Sequence, residues 1–463
     1  MKEKKIFDAI TDVREDLIEE AKNSNLKKSR PLWQQAAILA ACTILVFTGI
    51  LLFPKLGQED KPTGSLLDVV YPAVFAYDDY KARIALREQN PVDEAIVEAI
   101  RNFSYQSTSL LLSDDGRNQN YSPLSLYFAL SLAASGAEQE TAAELLTVLG
   151  VPDNATLAQQ AGNLYRQLYH ENKIGKLKIA NSIWMDKDYL GQPLDFKDTF
   201  IKQAAEQFYA SAHYVDFDQP ESGEQIAAWI AEQTQGTLQP KFEADPEQIL
   251  AIINTIYFYD QWIDRFSKDE TAEDVFYLTN QNEVKSEFMN RTYGSAGFSR
   301  GDNFTRSSLA LKNAAQMVFI LPDKGVSPYD LLATPELTRL AIEGGEAHYG
   351  EVVWKLPKFS FSSTFDLKDM LIRLGVDKAF RQEADFSGIT DHLAYISGVR
   401  QETHIAIDED GVEAAAFTKI DFAGAAMPEG RAEMILDRPF IFAITGQNDS
   451  LLFIGVCENP AQP

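Results

Sequence analysis

Asn120-Tyr-Ser-Pro-Leu-Ser-Leu-Tyr-Phe-Ala-Leu-Ser-Leu-Ala-Ala-Ser-Gly-Ala137 reads as a helical stretch over 123–135, and a second one, 140–149, follows at once. Working outward, 92–112 and 157–169 carry the same period. Apolar or alternating runs that predict strands come next, at 177–185, 249–258, 316–321, 351–361 and 440–456, the last broken at Gly446. Helical patterns at 196–208, 221–233 and 365–374 lie between them. Helices gathered early and strands gathered late predict an α+β fold rather than an alternating parallel sheet.

The 463 residues are 45% hydrophobic and 24% charged, enough apolar material for a large core. Forty-two Lys and Arg against 68 Asp and Glu leave −26, which lacks the cationic footprint nucleic acid requires. Two cysteines, Cys42 and Cys457, exclude a disulfide scaffold, and five histidines leave little for metal chemistry. No nucleophile elbow, zinc-binding HExxH pair, P-loop or dinucleotide fingerprint occurs, and His170-Glu171 has no second histidine at the needed spacing. The chain is therefore read as no enzyme, with no cofactor. Asp408-Glu409-Asp410 lacks calcium-loop spacing and reads as solvated charge.

Residues 36–53 carry no charge, and eighteen residues at helical rise reach roughly 27 Å. Trp33 sits at the interface position, with Lys27, Lys28 and Arg30 just before it. Pro54 and Lys55 follow where a cleavable signal would carry small residues, and the apolar run continues past Cys42 instead of ending there as a lipid-attachment box would. The expectation is a cytoplasmic tail (1–33), a transmembrane helix (34–53), a linker (54–65) and one extracellular domain (66–463) at the cell membrane.

Near the C-terminus, Glu409-Asp-Gly-Val-Glu-Ala-Ala-Ala416 begins a segment with a strand's period. Val412, Ala414, Ala416, Thr418, Ile420 and Phe422 fall on one face; Glu413, Ala415, Phe417, Lys419, Asp421 and Ala423, with all three charges, fall on the other. No Pro or Gly interrupts these twelve residues.

The ordered landmarks resemble the serpin family. The 120–125 segment with Gly136-Ala137 is followed by Ile179-Ala-Asn181, Val215-Asp-Phe217, Trp229, Thr234-Gln-Gly236, Asn254, Tyr257-Phe258 and Trp262. Leu356-Pro-Lys-Phe359, Ser387-Gly-Ile389, Arg438-Pro-Phe440 and Phe453-Ile-Gly455 complete a match over about residues 90–463. The resemblance implies three β-sheets (one large and mixed, two smaller), about nine helices and an exposed reactive-centre loop. A target protease cleaves the loop, forms an acyl-enzyme, and is trapped as the loop inserts into the large sheet. Such a suicide substrate would act as a monomer on an extracellular serine protease, with cysteine proteases as secondary targets. A non-inhibitory binding or scaffold serpin is the alternative.

Residues 409–416 resemble the hinge of inhibitory members, with Gly411 supplying backbone freedom. Fourteen residues on from Gly411, the family's spacing puts the reactive bond at Ala425-Ala426, within 424–427. A small residue there suits an elastase- or subtilisin-like protease, and the absence of Arg or Lys argues against trypsin-like ones. Asn120, Ser122, Ser125, Asn181, Trp262 and Gln401 correspond to the regions where the sheet opens. Two departures stand out: Val412 replaces the usual Thr or Ser, and Gln401 replaces a histidine that hydrogen-bonds around Asn181 and Ser122. The bacterial type of serpin, with an added anchor, fits the whole.

Overall fold

The structure is a computed structural model that describes residues 65–462 except 190, 242–245, 247, 281 and 413–429. The chain divides into two compact units, 1–62 and 63–463, of which the first lies outside the described residues.

Nine α-helices occur among the described residues: α1 (Tyr80–Gln89), α2 (Glu94–Leu111), α3 (Pro123–Ser135), α4 (Gln139–Leu149), α5 (Asn154–Leu168), α6 (Asp198–Gln207), α7 (Glu221–Gln233), α8 (Pro335–Glu343) and α9 (Lys368–Leu374). The opening stretch forms α3 for local reasons. Ser122 is extended and its Oγ accepts from Ser125 N at 3.3 Å, and Pro123 takes the first helical position, where its missing N–H costs nothing. Every residue from Pro123 to Ala134 is buried, as a helix apolar on all sides must be. At the end of α4 the chain turns at Gly150 with φ +68°, a left-handed cap only glycine adopts freely.

A seven-stranded mixed sheet lies over α3. Its strands are β1 (Lys176–Asp186), β2 (Ala210–Val215), β3 (Leu250–Gln261), β4 (Phe359–Asp366), β5 (Ile396–Ile407) and β6 (Gly411–Val412), with His170–Glu171 at one edge. The order β4-β5-β6-β3-β1 places β3 centrally, and β2 pairs with β1 in parallel. The other side of β1 and β3 is covered by α7: Trp184, Ala251 and Ile253 pack with Phe217, Trp229 and Ile230. Burial on both faces explains why β1 and β3 read as near-continuous apolar runs.

Three sheets are found, as expected, but their sizes differ from the expectation: beside the seven-stranded sheet stand a nine-stranded one and a two-stranded hairpin of Asp188–Tyr189 and Gln192–Pro193. The 18-residue strand Glu283–Arg300 joins what would be two sheets, pairing with Ala272–Tyr277, Phe304–Ala310 and Glu346–Pro357.

Candidate functional site

The chemistry concentrates where β3 and β5 meet. Low in the sheet they pair directly and in parallel, from Ile396 with Leu250 to Glu402 with Thr255. Higher up they part, and β6 enters between them, antiparallel to both: Gly411 faces Gln261, and Val412 faces Asp260 on one side and Ile407 on the other. Gly411 is required here for a reason other than backbone freedom. A Cβ at this position would stand 2.3 Å from the Asp260 carbonyl oxygen, so only glycine lets the chain pass the backbone of β3.

A polar clamp surrounds this entry. Asp408 Oδ1 accepts from the backbone N–H groups of Asp410 (2.8 Å) and Gly411 (3.1 Å), fixing the turn into β6. Trp262, buried, donates through Nε1 to Asp408 O at 2.9 Å and through its backbone N to Asp410 O at 3.2 Å. The Glu409 carboxylate accepts from Thr271 Oγ1 at 2.8 Å and lies 3.4 Å from Lys358 Nζ. Asp410 is paired with Arg265 at 3.1 Å and Lys268 at 3.6 Å. Burial pushes the Glu409 carboxyl up, but hydrogen bonds from backbone and Thr271 with the Lys358 charge bring it net below its usual value. At Asp408 burial prevails over its backbone hydrogen bonds, and the carboxyl is held above its usual value. The solvated reading of 408–410 is thus corrected: Glu409 is only 6% exposed, and the three acids tie the hinge to β3 and its neighbours.

Beneath Val412, Asp260 accepts from Asn313 N (2.9 Å) and Asn313 Nδ2 (3.0 Å), and burial raises its carboxyl to about 6.

Lower down, a chain of side chains crosses the sheet at the level of Asn254, which faces Asn181 on β1 and Gln401 on β5. Asn254 Nδ2 donates to Asn181 Oδ1 at 2.7 Å, and its Oδ1 accepts from Ser125 Oγ at 2.6 Å and Gln401 Nε2 at 3.3 Å. Gln401 also closes a two-way pair with the Ser122 backbone, accepting from N and donating to O, both at 2.9 Å. Ser122 Oγ donates to Leu452 O at 2.6 Å. The Asn120 backbone joins in, accepting from Thr403 Oγ1 at 2.6 Å and donating to Ser363 Oγ at 2.9 Å. Its side-chain amide, also buried, has no partner among the described residues.

Five of the expected residues, Asn120, Ser122, Ser125, Asn181 and Gln401, therefore meet around one level of the sheet, and Trp262 joins Glu409–Val412 at its upper end. Sequence reading named Asn254 as a landmark of the resemblance but not as a site residue, although it connects the first group. The signal was present: a lone amide among buried aliphatics of β3, between Ile252 and Ile256. Glu413, Ala414, Ala415, Ala416, Ala425 and Ala426 lie outside the described residues. No group of His, Cys, Asp or Glu suited to a metal ion occurs among the described residues.

Comparison with known proteins accounts for this arrangement. Residues 98–460 match the family described as "Serpin (serine protease inhibitor)". An alpha-1-antitrypsin-like protein of Tamias sibiricus is 28% identical over 414 residues, covering 86% of this chain and 96% of that one. Serpin B3 of Homo sapiens is 28% identical, covering 79% of this chain and all of its own, 100%. The solved native state of tengpin, a thermophilic serpin, superposes with a TM-score of 0.73 at 27% identity, covering 86% of this chain and 99% of that one.

Three expectations are corrected here. The two relatives named are mammalian, so the bacterial type has no support from them. The placement at the cell membrane, with a cytoplasmic tail and extracellular domain, is cut back to what is found: no helix among the described residues is long and apolar enough to cross a membrane, and the expected span 34–53 lies outside them. The plain reading as no enzyme is too bare as well, because the matched family is one of protease inhibitors, which act on proteases; no catalysis by the chain itself is shown.

Proposed function

We propose that this chain, which belongs to the serpin family of serine protease inhibitors, traps a serine protease as an acyl-enzyme after cleavage within 413–429. The observation that carries the reading is the position of β6, a two-residue strand started between β3 and β5 and aimed down the seam they share.

In the proposed inserted form, the two registers carried forward residue by residue would set Ala414 beside Phe258 and Ile405. Ala416 follows beside Ile256 and Thr403, Thr418 beside Asn254 and Gln401, and Ile420 beside Ile252 and Val399. Phe422 would reach Leu250, where β3 begins. All these neighbours are buried, so the loop's apolar face turns to the core and Glu413, Lys419 and Asp421 turn to the other side.

Insertion replaces the direct β3–β5 ladder by two new ones and buries five modest side chains beyond Val412, which is already in place. At about 1 kcal/mol per net hydrogen bond and 1–2 per side chain, the gain is on the order of 15–25 kcal/mol, above a typical domain's whole stability. The intact form is therefore metastable. Cleavage releases the strand, which carries the esterified protease along and distorts its oxyanion hole, and deacylation slows by orders of magnitude. Thr418 arrives between Asn254 and Gln401, so their 3.3 Å hydrogen bond is the latch that must part.

Cleavage falls at Ala425-Ala426, which suits an elastase- or subtilisin-like serine protease, with cysteine proteases as secondary targets; the inhibitor acts as a monomer. Incubation with an elastase should give an SDS-resistant band and a peptide released at 425–426. Clean cleavage with no such band would leave only a substrate or scaffold, and the trap would be wrong.

A further inference from the structure

Residues 413–429 lead back into the described fold at Gly430, whose φ is +113° and whose carbonyl accepts from Glu351 N at 3.1 Å. Arg431–Ile435 then runs parallel to Glu346–Pro357 as the last strand of the nine-stranded sheet. On its other side Glu346–Pro357 pairs with Glu283–Arg300, an antiparallel ribbon that ends with Glu346 opposite Arg300. Gly430 lies against this end: a Cβ there would stand 3.4 Å from Phe298 Cζ.

The end of the ribbon is open to contact. Tyr349 is 52% exposed and sits opposite Gly297, and a Cβ added at Gly294 or Gly297 would meet nothing within 4 Å. Arg300, also exposed, lies over the Phe298 ring at 5.7 Å and donates through Nη2 to Arg431 O at 2.9 Å. Glu346, opposite Arg300 in register, lies 3.9 Å from His348 instead, and Arg300 has no carboxylate partner among the described residues. Tyr and Arg are the side chains that carry binding energy at protein interfaces most often, and here one of each stands uncovered on a rigid strand.

The length of chain says what covers them. From Ala426 to Gly430 is four residues, at most about 14 Å when fully extended. A protease domain of about 200 residues has a radius of gyration near 16 Å, so one seated on the 425–426 bond overhangs whatever borders Gly430. We infer that the open end of this ribbon is a second contact for the target protease, Tyr349 packing against the rim of its cleft and Arg300 donating to acceptors there. The inference rests on cleavage at 425–426 as proposed above. It makes the ribbon a determinant of specificity: small residues at the bond suit several proteases, and the ribbon chooses among them.

The rate of loop cleavage by an elastase tests this, because cleavage precedes trapping and is measured whether or not the acyl-enzyme persists. Tyr349→Ala should lower kcat/KM for cleavage roughly tenfold and Arg300→Gln roughly threefold, the loss falling on KM rather than kcat. Tyr349 is half exposed and makes no hydrogen bond among the described residues, so its variant folds, and the melting temperature of the intact protein should stay that of wild type. Slower cleavage of the variants with no SDS-resistant band in any of them would sink the trap and keep the ribbon. A full band, with the Tyr349→Ala and Arg300→Gln double variant cleaved within about twofold of wild type, would overturn the ribbon contact and keep the trap.

Discussion

The seam between β3 and β5 is closed at two levels by different chemistry. At the level of Asn254 it is closed by neutral side chains, buried and joined to three elements: β1 through Asn181, α3 through Ser125 and β5 through Gln401. At the hinge it is closed by charges, Glu409 with Lys358 and Asp410 with Arg265 and Lys268, around an entry already occupied by β6. The lower level opens only if buried hydrogen bonds exchange partners in a dry interior, where an unmet group costs the most. The upper level includes partly exposed charges that water can receive as they separate. A loop that must wait and then insert completely needs both: an entry that is easy to start, above a closure that is hard to pass.

The largest expected effect is at the lower level. Asn254→Ala leaves Asn181 Oδ1, Ser125 Oγ and Gln401 Nε2 each short of a buried partner and should cost about 3–5 kcal/mol in urea unfolding. At the upper level, Glu409→Ala removes the acceptor for Thr271 and the mate of Lys358 and should cost about 1–3 kcal/mol. If Glu409→Ala proved the more damaging of the two, the ordering of the levels would be reversed.

Protons separate the regions next. Asp260, beneath Val412, is raised to about 6 from 3.8. An acid raised by folding favours the native state fully below 3.8, and that contribution is lost as pH climbs through about 6. His170 works oppositely: lowered to about 4 from 6.5, it supports the folded state above 6.5 and withdraws that support as pH falls through about 4. Wild type and Asp260→Asn, compared from about pH 7 to pH 4, should therefore diverge by on the order of 1–3 kcal/mol, wild type gaining on the variant as pH falls. Parallel curves would mean that Asp260 has no raised titration. The smallest effect is at the rim of the nine-stranded sheet, where the exposed Arg431–Glu351 pair should contribute under about 0.5 kcal/mol to unfolding in an Arg431→Gln comparison.

How much of this could be read from residues depended on burial. α3 was legible because Ser122-Pro123 marks its start and its whole surface is apolar. The predicted strand at 440–456 broken at Gly446 is found as Phe440–Thr445 and Leu451–Cys457, buried throughout. The strand Glu283–Arg300 was missed: most of its residues are exposed or half-buried, with polar side chains on both faces, so no period of two survives. α1 was missed for a related reason, since none of its residues is buried. In the candidate site, sequence named the polar residues that close the seam but not their partners. Asn254 with Ser125, and Glu409 with Thr271 and Lys358, are contacts between segments far apart in the chain. Gly411 was placed at the hinge for its flexibility, whereas its close approach to Asp260 exists only once β3 is beside it.

Stored strain in the intact form is the claim on which the rest depends. Melting the protein before and after a single cut at 425–426, in the same buffer, measures it directly. The cut protein should unfold far above the intact one, because its strand has taken the place now held by the β3–β5 pairing. Equal melting temperatures would mean that the loop has nothing to gain from the sheet.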